Sequence, residues 1–175
     1  MTREQLEHVL RAAGAITGAG EFVLIGSQSI LGQFPKAPPS LTTSTEIDLF
    51  TLRDPNDAVL VDGSIGEGSP FHAAFGYYAH GVGIETATLP ADWRSRLIPI
   101  SSPATGGVTG LCLEVHDLAV SKLAAGRDKD LEFVAAVLSN SLADAALIAA
   151  RIDDTEVDAS TKQRIRTRLQ NCLHA

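Results

Sequence analysis

Thr2-Arg3-Glu4-Gln5 has the spacing of a capping box, and the apolar positions that follow, Leu6, Val9, Leu10 and Ala13, recur at helical intervals. They predict an N-terminal helix ending near Gly14. Phe22-Val23-Leu24-Ile25 is apolar without alternation, as suits a short strand buried on both faces. Gly26-Ser27 ends that strand abruptly, and Ser29-Ile30-Leu31-Gly32-Gln33 reads as a short helix. Pro35, Pro38 and Pro39 make the stretch from Phe34 to Thr43 an extended loop. Thr45-Glu46-Ile47-Asp48-Leu49-Phe50 then alternates, so Glu46 and Asp48 share one face of a strand while Ile47 and Leu49 share the other.

Asp54-Pro55 reads as a helix start, with a short helix running through Val61. Gly63 to Pro70 reads as a plain loop, without the Lys-Ser/Thr ending of a P-loop. Phe71 to Tyr78 is aromatic-rich; Tyr77-Tyr78 can stack on a nucleobase, although core packing beside a strand is the simpler expectation. Gly81-Val82-Gly83-Ile84-Glu85-Thr86-Ala87 is strand-like, as is Gly110-Leu111-Cys112-Leu113-Glu114-Val115. Between them, Trp93-Arg94-Ser95-Arg96 offers two cations, for a phosphate or simply for water.

From Asp117 onward the period is helical. His116 or Asp117 can cap a helix carrying Leu118, Lys122 and Leu123, which Gly126 ends. Asp128 can cap a second, with Leu131, Val134 and Leu138 as its core stripe. Ser141 opens a third, and a last helix from about Ser160 places Ile165, Leu169 and Cys172 on one face. Lys122 lies near a buried face, so its ammonium must reach something polar, either a triphosphate or a carboxylate. Asp130, in the first turn of its helix, suits the positive helix end as well as it suits a catalytic role.

A length of 175 residues fits a single compact domain. We divide it into an α/β core over residues 1–116 and a helical part over residues 117–175. The formal charge of −7 argues against a generally basic nucleic-acid binder, while a local basic groove stays open. Lys162, Arg164, Arg166 and Arg168 spread over two helical faces, as in a solvated surface. Cys112 and Cys172 are far apart in sequence and build no disulfide framework, which points to a reducing, cytoplasmic setting. No apolar run is long enough for a membrane span, and no signal peptide opens the chain. His72 and His80 have no companions at metal-ligand spacing and read as surface or structural residues.

Two segments carry chemistry. A glycine turn from a strand into a helix points backbone N–H groups outward, where they hold phosphate, and Ser27 adds a hydroxyl. The Glu46/Asp48 pair can converge on a hard divalent cation that also takes phosphate oxygens. Gly26-Ser27, a gap, then Glu46-Ile47-Asp48 resembles the signature of the nucleotidyltransferase fold, the polymerase-β superfamily. The stretch from Asp117 to Asp130, with Lys122 and Arg127-Asp128-Lys129-Asp130, resembles a Lys…Arg-x-Lys-Asp motif of bacterial AbiEii-like toxin nucleotidyltransferases and related uncharacterised domains.

The resemblance implies an α/β (α+β) fold: a small mixed sheet of the nucleotidyltransferase type flanked by helices, with a helical C-terminal part. It implies transfer of a nucleoside monophosphate from a nucleoside triphosphate to an RNA or protein acceptor, with Mg²⁺ or Mn²⁺ as cofactor. Glu46 and Asp48 would hold the metal. Gly26, Ser27, Lys122, Arg127, Lys129 and Asp130 would serve the nucleotide. A third carboxylate is expected on a neighbouring strand, with Glu85 the candidate and Glu114 its rival. A toxin–antitoxin or phage-defence setting, with an antitoxin partner, follows from the same resemblance. The chain departs from the pattern in a longer gap between Ser27 and Glu46, and in Glu for Asp at position 46. Those departures leave a second reading: a non-catalytic relative that binds a nucleotide or a partner.

Overall fold

The computed structural model describes residues 1–174. The chain forms two compact units, one of residues 1–86 and 97–113, the other of residues 87–96 and 114–175.

The first unit is built on a five-stranded mixed sheet. Its strands are β1 (Glu21–Leu24), β2 (Glu46–Phe50), β3 (Tyr78–Gly81), β4 (Ile98–Ile100) and β5 (Thr109–Cys112), in the order β3-β2-β1-β5-β4. β1 runs antiparallel to β2 and parallel to β5, while β2 runs parallel to β3. The helices of this unit are α1 (Arg3–Thr17), α2 (Ile30–Gln33), α3 (Asp57–Ile65) and α4 (Pro70–Phe75).

Register decides which face is covered. Phe22 pairs with Gly110, Leu24 with Cys112 and with Leu49, and Ile47 with Ala79. These residues line one face, and α1, α2 and α3 pack there. Leu10 of α1 fills the space beside Gly110, Gly32 of α2 lies on Cys112, and the backbone of Ala58 in α3 lies on Gly81. The capping box and the apolar stripe of α1 form as the sequence predicts, with Leu6, Val9, Leu10 and Ala13 buried. The helix runs one turn further than Gly14, to a left-handed cap at Gly18. α3 likewise continues past Val61 to Ile65, absorbing part of the segment read as loop. Tyr77 is buried, the core role expected of that aromatic run, while Phe71 and the half-exposed Phe75 of α4 cluster with it and His8 nearer the surface.

The second unit consists of α5 (Val115–Ala125), α6 (Asp128–Ser139), α7 (Ala145–Asp153) and α8 (Ala159–Cys172) around a core of Val120, Leu123, Val134, Ile148, Ile152, Ile165 and Leu169. The segment of residues 87–96 belongs to this unit. Arg96 donates to both oxygens of the fully buried Asp117, at 2.8 and 3.0 Å, and Ala91 donates its N–H to the Asp154 carbonyl. Asp117 is therefore not the cap of α5. Glu114 caps it by accepting from the His116 N–H, and Asp144, rather than Ser141, opens α7. Among the described residues no helix is long and apolar enough to cross a membrane.

Candidate functional site

The face of the sheet opposite α1, α2 and α3 carries the polar residues. Glu46 and Asp48 point to it because Ile47 and Leu49 are buried on the helix side. β3 pairs in parallel register, Glu46 with Tyr78 and Asp48 with His80, so all four side chains share that face. Nδ1 of His80 lies 3.1 Å from Oδ1 of Asp48 and 3.3 Å from Oε1 of Glu46. The Tyr78 hydroxyl donates to the other Glu46 oxygen, Oε2, at 2.9 Å. A cavity of about 280 Å³ adjoins the group, lined by Glu46, Asp62, Glu67, Tyr78, Ala79 and His80.

The glycine turn meets the same place. Ile25 donates its N–H to the Asp48 carbonyl at 3.2 Å, and a Cβ built on Gly26 would collide with Asp48 Oδ2. A side chain at position 26 would displace the carboxylate or the turn. Ser27 opens a 3-10 turn over Ser27–Ser29, and the first N–H groups of such a turn have no partner within it. The turn also holds a cost: both amide atoms of Gln28 and the Ser29 hydroxyl are buried without hydrogen-bond partners.

Three charges compete in this cluster. Burial, then the adjacent Glu46 carboxylate, push Asp48 up to about 6, with His80 opposing. Burial also works against the Glu46 anion, but hydrogen bonds from Asp48 and Tyr78 and the charge of His80 outweigh it and hold its pKa below the usual value. His80 loses some basicity to burial and gains more from Asp48 and Glu46, so its pKa is raised. Of the two carboxylates, the more buried Asp48 therefore takes up a proton first as pH falls. A cation would relieve that repulsion.

Among the described residues, Glu46, Asp48 and His80 are the His, Cys, Asp or Glu group whose ligand atoms could share an ion; they lie within 4.8 Å of one another. The donor set fits a divalent cation: two carboxylates that repel each other without one, and an imidazole nitrogen at the same point. His80 escaped the sequence reading because its partners are 32 residues away and are found through strand pairing rather than spacing. The usable signal was the alternation Tyr78-Ala79-His80 on a strand of its own.

The remaining candidates lie elsewhere. Glu85 is exposed in a 3-10 turn, Ile84–Thr86, beyond the end of β3; of the stretch Gly81–Ala87 read as strand-like, only Gly81 lies in a strand. Glu114 is taken up as the α5 cap and bonds the His116 ring at 2.6 Å. In the helical unit, Lys122 donates to Asp130 at 2.8 Å and Arg127 to the same carboxylate at 2.6 Å. Of the two partners expected for Lys122, the structure shows a carboxylate. Burial raises the Asp130 pKa, yet the bonds from Arg127 and Lys122 outweigh it, and the net value falls below the usual one. Lys129 is exposed.

A mixed sheet with two carboxylates on one face, beside a glycine turn at the end of its central strand, fits the nucleotidyltransferase class of α/β proteins. The chain belongs to the family described as "Nucleotidyltransferase of unknown function (DUF6036)", whose match spans residues 4–173. No curated protein and no solved structure matches it.

Proposed function

We propose that the protein is a metal-dependent nucleotidyltransferase that moves a nucleoside monophosphate from a nucleoside triphosphate to a hydroxyl of an RNA or protein acceptor. The observation that carries this reading is the convergence of Glu46, Asp48 and the Gly26 turn on one face of the sheet. Glu46 and Asp48 hold Mg²⁺ or Mn²⁺, with Tyr78 fixing the second oxygen of Glu46. When bound, the cation supplies charge that favours ionisation of the acceptor hydroxyl and departure of pyrophosphate. Gly26 and Ser27 bind β- and γ-phosphate oxygens through backbone N–H groups and the serine hydroxyl. In the helical unit Asp130 binds both Lys122 and Arg127, and the Arg127 side chain stays 63% exposed. A cytoplasmic toxin or phage-defence role, with an antitoxin as partner, is supported by the AbiEii-like motif from Asp117 to Asp130.

The test is incubation with each labelled nucleoside triphosphate, Mg²⁺ or Mn²⁺, and cell RNA or protein. Label moves to one acceptor pool, and Asp48→Asn abolishes the transfer. Failure with every nucleotide and both metals sinks the proposal. One observation favours a second reading, a nucleotide-binding relative without catalysis: a histidine, rather than a third carboxylate, completes the cluster. Nucleotide binding that is indifferent to metal and survives Asp48→Asn supports that alternative.

A further inference from the structure

The third member of the cluster bears on which cation the site takes. Each carboxylate turns one oxygen to His80. Glu46 Oε2 accepts from Tyr78, leaving Oε1 toward the imidazole. Asp48 Oδ2 lies against Gly26, leaving Oδ1 toward the imidazole. The separations from Nδ1, 3.1 and 3.3 Å, match neighbouring ligands around one ion. Ligands at right angles about an ion with bonds of about 2.1 Å stand about 3 Å apart. An imidazole nitrogen suits first-row transition cations, whereas Mg²⁺ prefers oxygen donors and keeps its waters.

We infer that His80 is a metal ligand and that it tunes the site to a first-row transition cation of the Mn²⁺ class over Mg²⁺. This rests on the nucleotidyltransferase reading for the cation's purpose, but not for its binding. The opposing possibility is that His80 serves only as a counter-cation to the two carboxylates. The two make opposite predictions for its removal: loss of a ligand weakens metal binding, whereas loss of a competing cation strengthens it.

The experiment titrates the whole chain, free of nucleotide, with MnCl₂ and separately with MgCl₂. Bound Mn²⁺ is then examined by pulsed electron paramagnetic resonance for coupling to a directly bonded nitrogen. Wild type binds Mn²⁺ more tightly than Mg²⁺ and shows the nitrogen coupling. His80→Asn loses the coupling and weakens Mn²⁺ by more than about tenfold, since even outer-shell partners of a metal count on that scale. Its Mg²⁺ affinity stays where it was. His80→Asp restores an oxygen donor and improves Mg²⁺ relative to Mn²⁺. The His80 side chain is 51% exposed, so both variants fold, and melting curves check that they do.

Bound Mn²⁺ without nitrogen coupling, or Mn²⁺ held as well or better by His80→Asn, overturns the inference. So does the absence of any metal binding. The transferase reading fails separately. Nitrogen-coupled Mn²⁺ in a protein that transfers no nucleotide overturns that reading alone, and transfer supported only by Mg²⁺ overturns this inference alone.

Discussion

The Cβ that Gly26 lacks would collide with Asp48 Oδ2. The turn after β1 and the carboxylate of β2 are thus fitted to each other at atomic contact. Gly26→Ala forces one of them to move, because overpacking a tight contact typically costs about 1–3 kcal/mol. The expected outcome is a lower melting temperature together with weakened Mn²⁺ binding. Combining Gly26→Ala with Asp48→Gly should recover part of the stability, a coupling that a double-mutant cycle measures.

Asp48 is held unfavourably in the metal-free protein. Its folded pKa of about 6 lies above the ordinary 3.8, so the folded state binds more protons than the unfolded state between those values. Stability from this group is therefore greatest below about pH 4 and declines as pH rises towards and through 6. Asp48→Asn removes the decline. At pH 7 without metal the variant should be more stable than wild type by about 1 kcal/mol or more, and should gain nothing from Mn²⁺ or Mg²⁺ with nucleotide. A destabilised variant, beside a wild type that ignores metal, would end the case for a cation site. Urea melts across pH, with and without metal, decide it.

In the helical unit, Asp130 holds two cations at once, and Lys122 is almost wholly buried, its ammonium also 5.2 Å from the Phe133 ring centroid. Asp130→Asn leaves Lys122 uncompensated and should cost about 3–5 kcal/mol, the scale of a broken buried pair. The sign with pH is opposite to that of Asp48. The folded pKa is depressed, so the contribution is full above the ordinary aspartate value and is lost as pH falls through the folded one. Denaturation of wild type and variant should converge in acid. Replacing the pair together, as Lys122→Met with Asp130→Leu, should cost much less than Asp130→Asn alone.

Gln28 offers the reverse case. Its amide is buried with neither atom bonded, and an unsatisfied buried polar group costs about 1–3 kcal/mol. Gln28→Leu keeps the volume and removes the polar atoms. Thermal melts should show a more stable metal-free protein. A loss of stability would mean that the amide is bonded in solution, and that the turn is built differently.

Local periodicity was enough to place α1, β1, β2 and the four helices after Asp117, because capping residues and apolar spacing act over a few positions. The same local rule put Glu46 and Asp48 on one face of a strand. It misled at Glu85, where the strand lies before Gly81 rather than after it, and at Asp117, whose cap position went to Glu114 while Arg96 claimed its carboxylate. Assigning residues 87–96 to the helical unit was beyond any reading in chain order. So was His80: a parallel register sets its place beside Asp48, and nothing within its own neighbourhood encodes that register. Sequence alone determined that a glycine turn and two carboxylates exist on strands successive in the chain. Tertiary structure decided that they touch, and that an imidazole stands third among them, because contacts between strands depend on pairing that no short stretch of chain can specify.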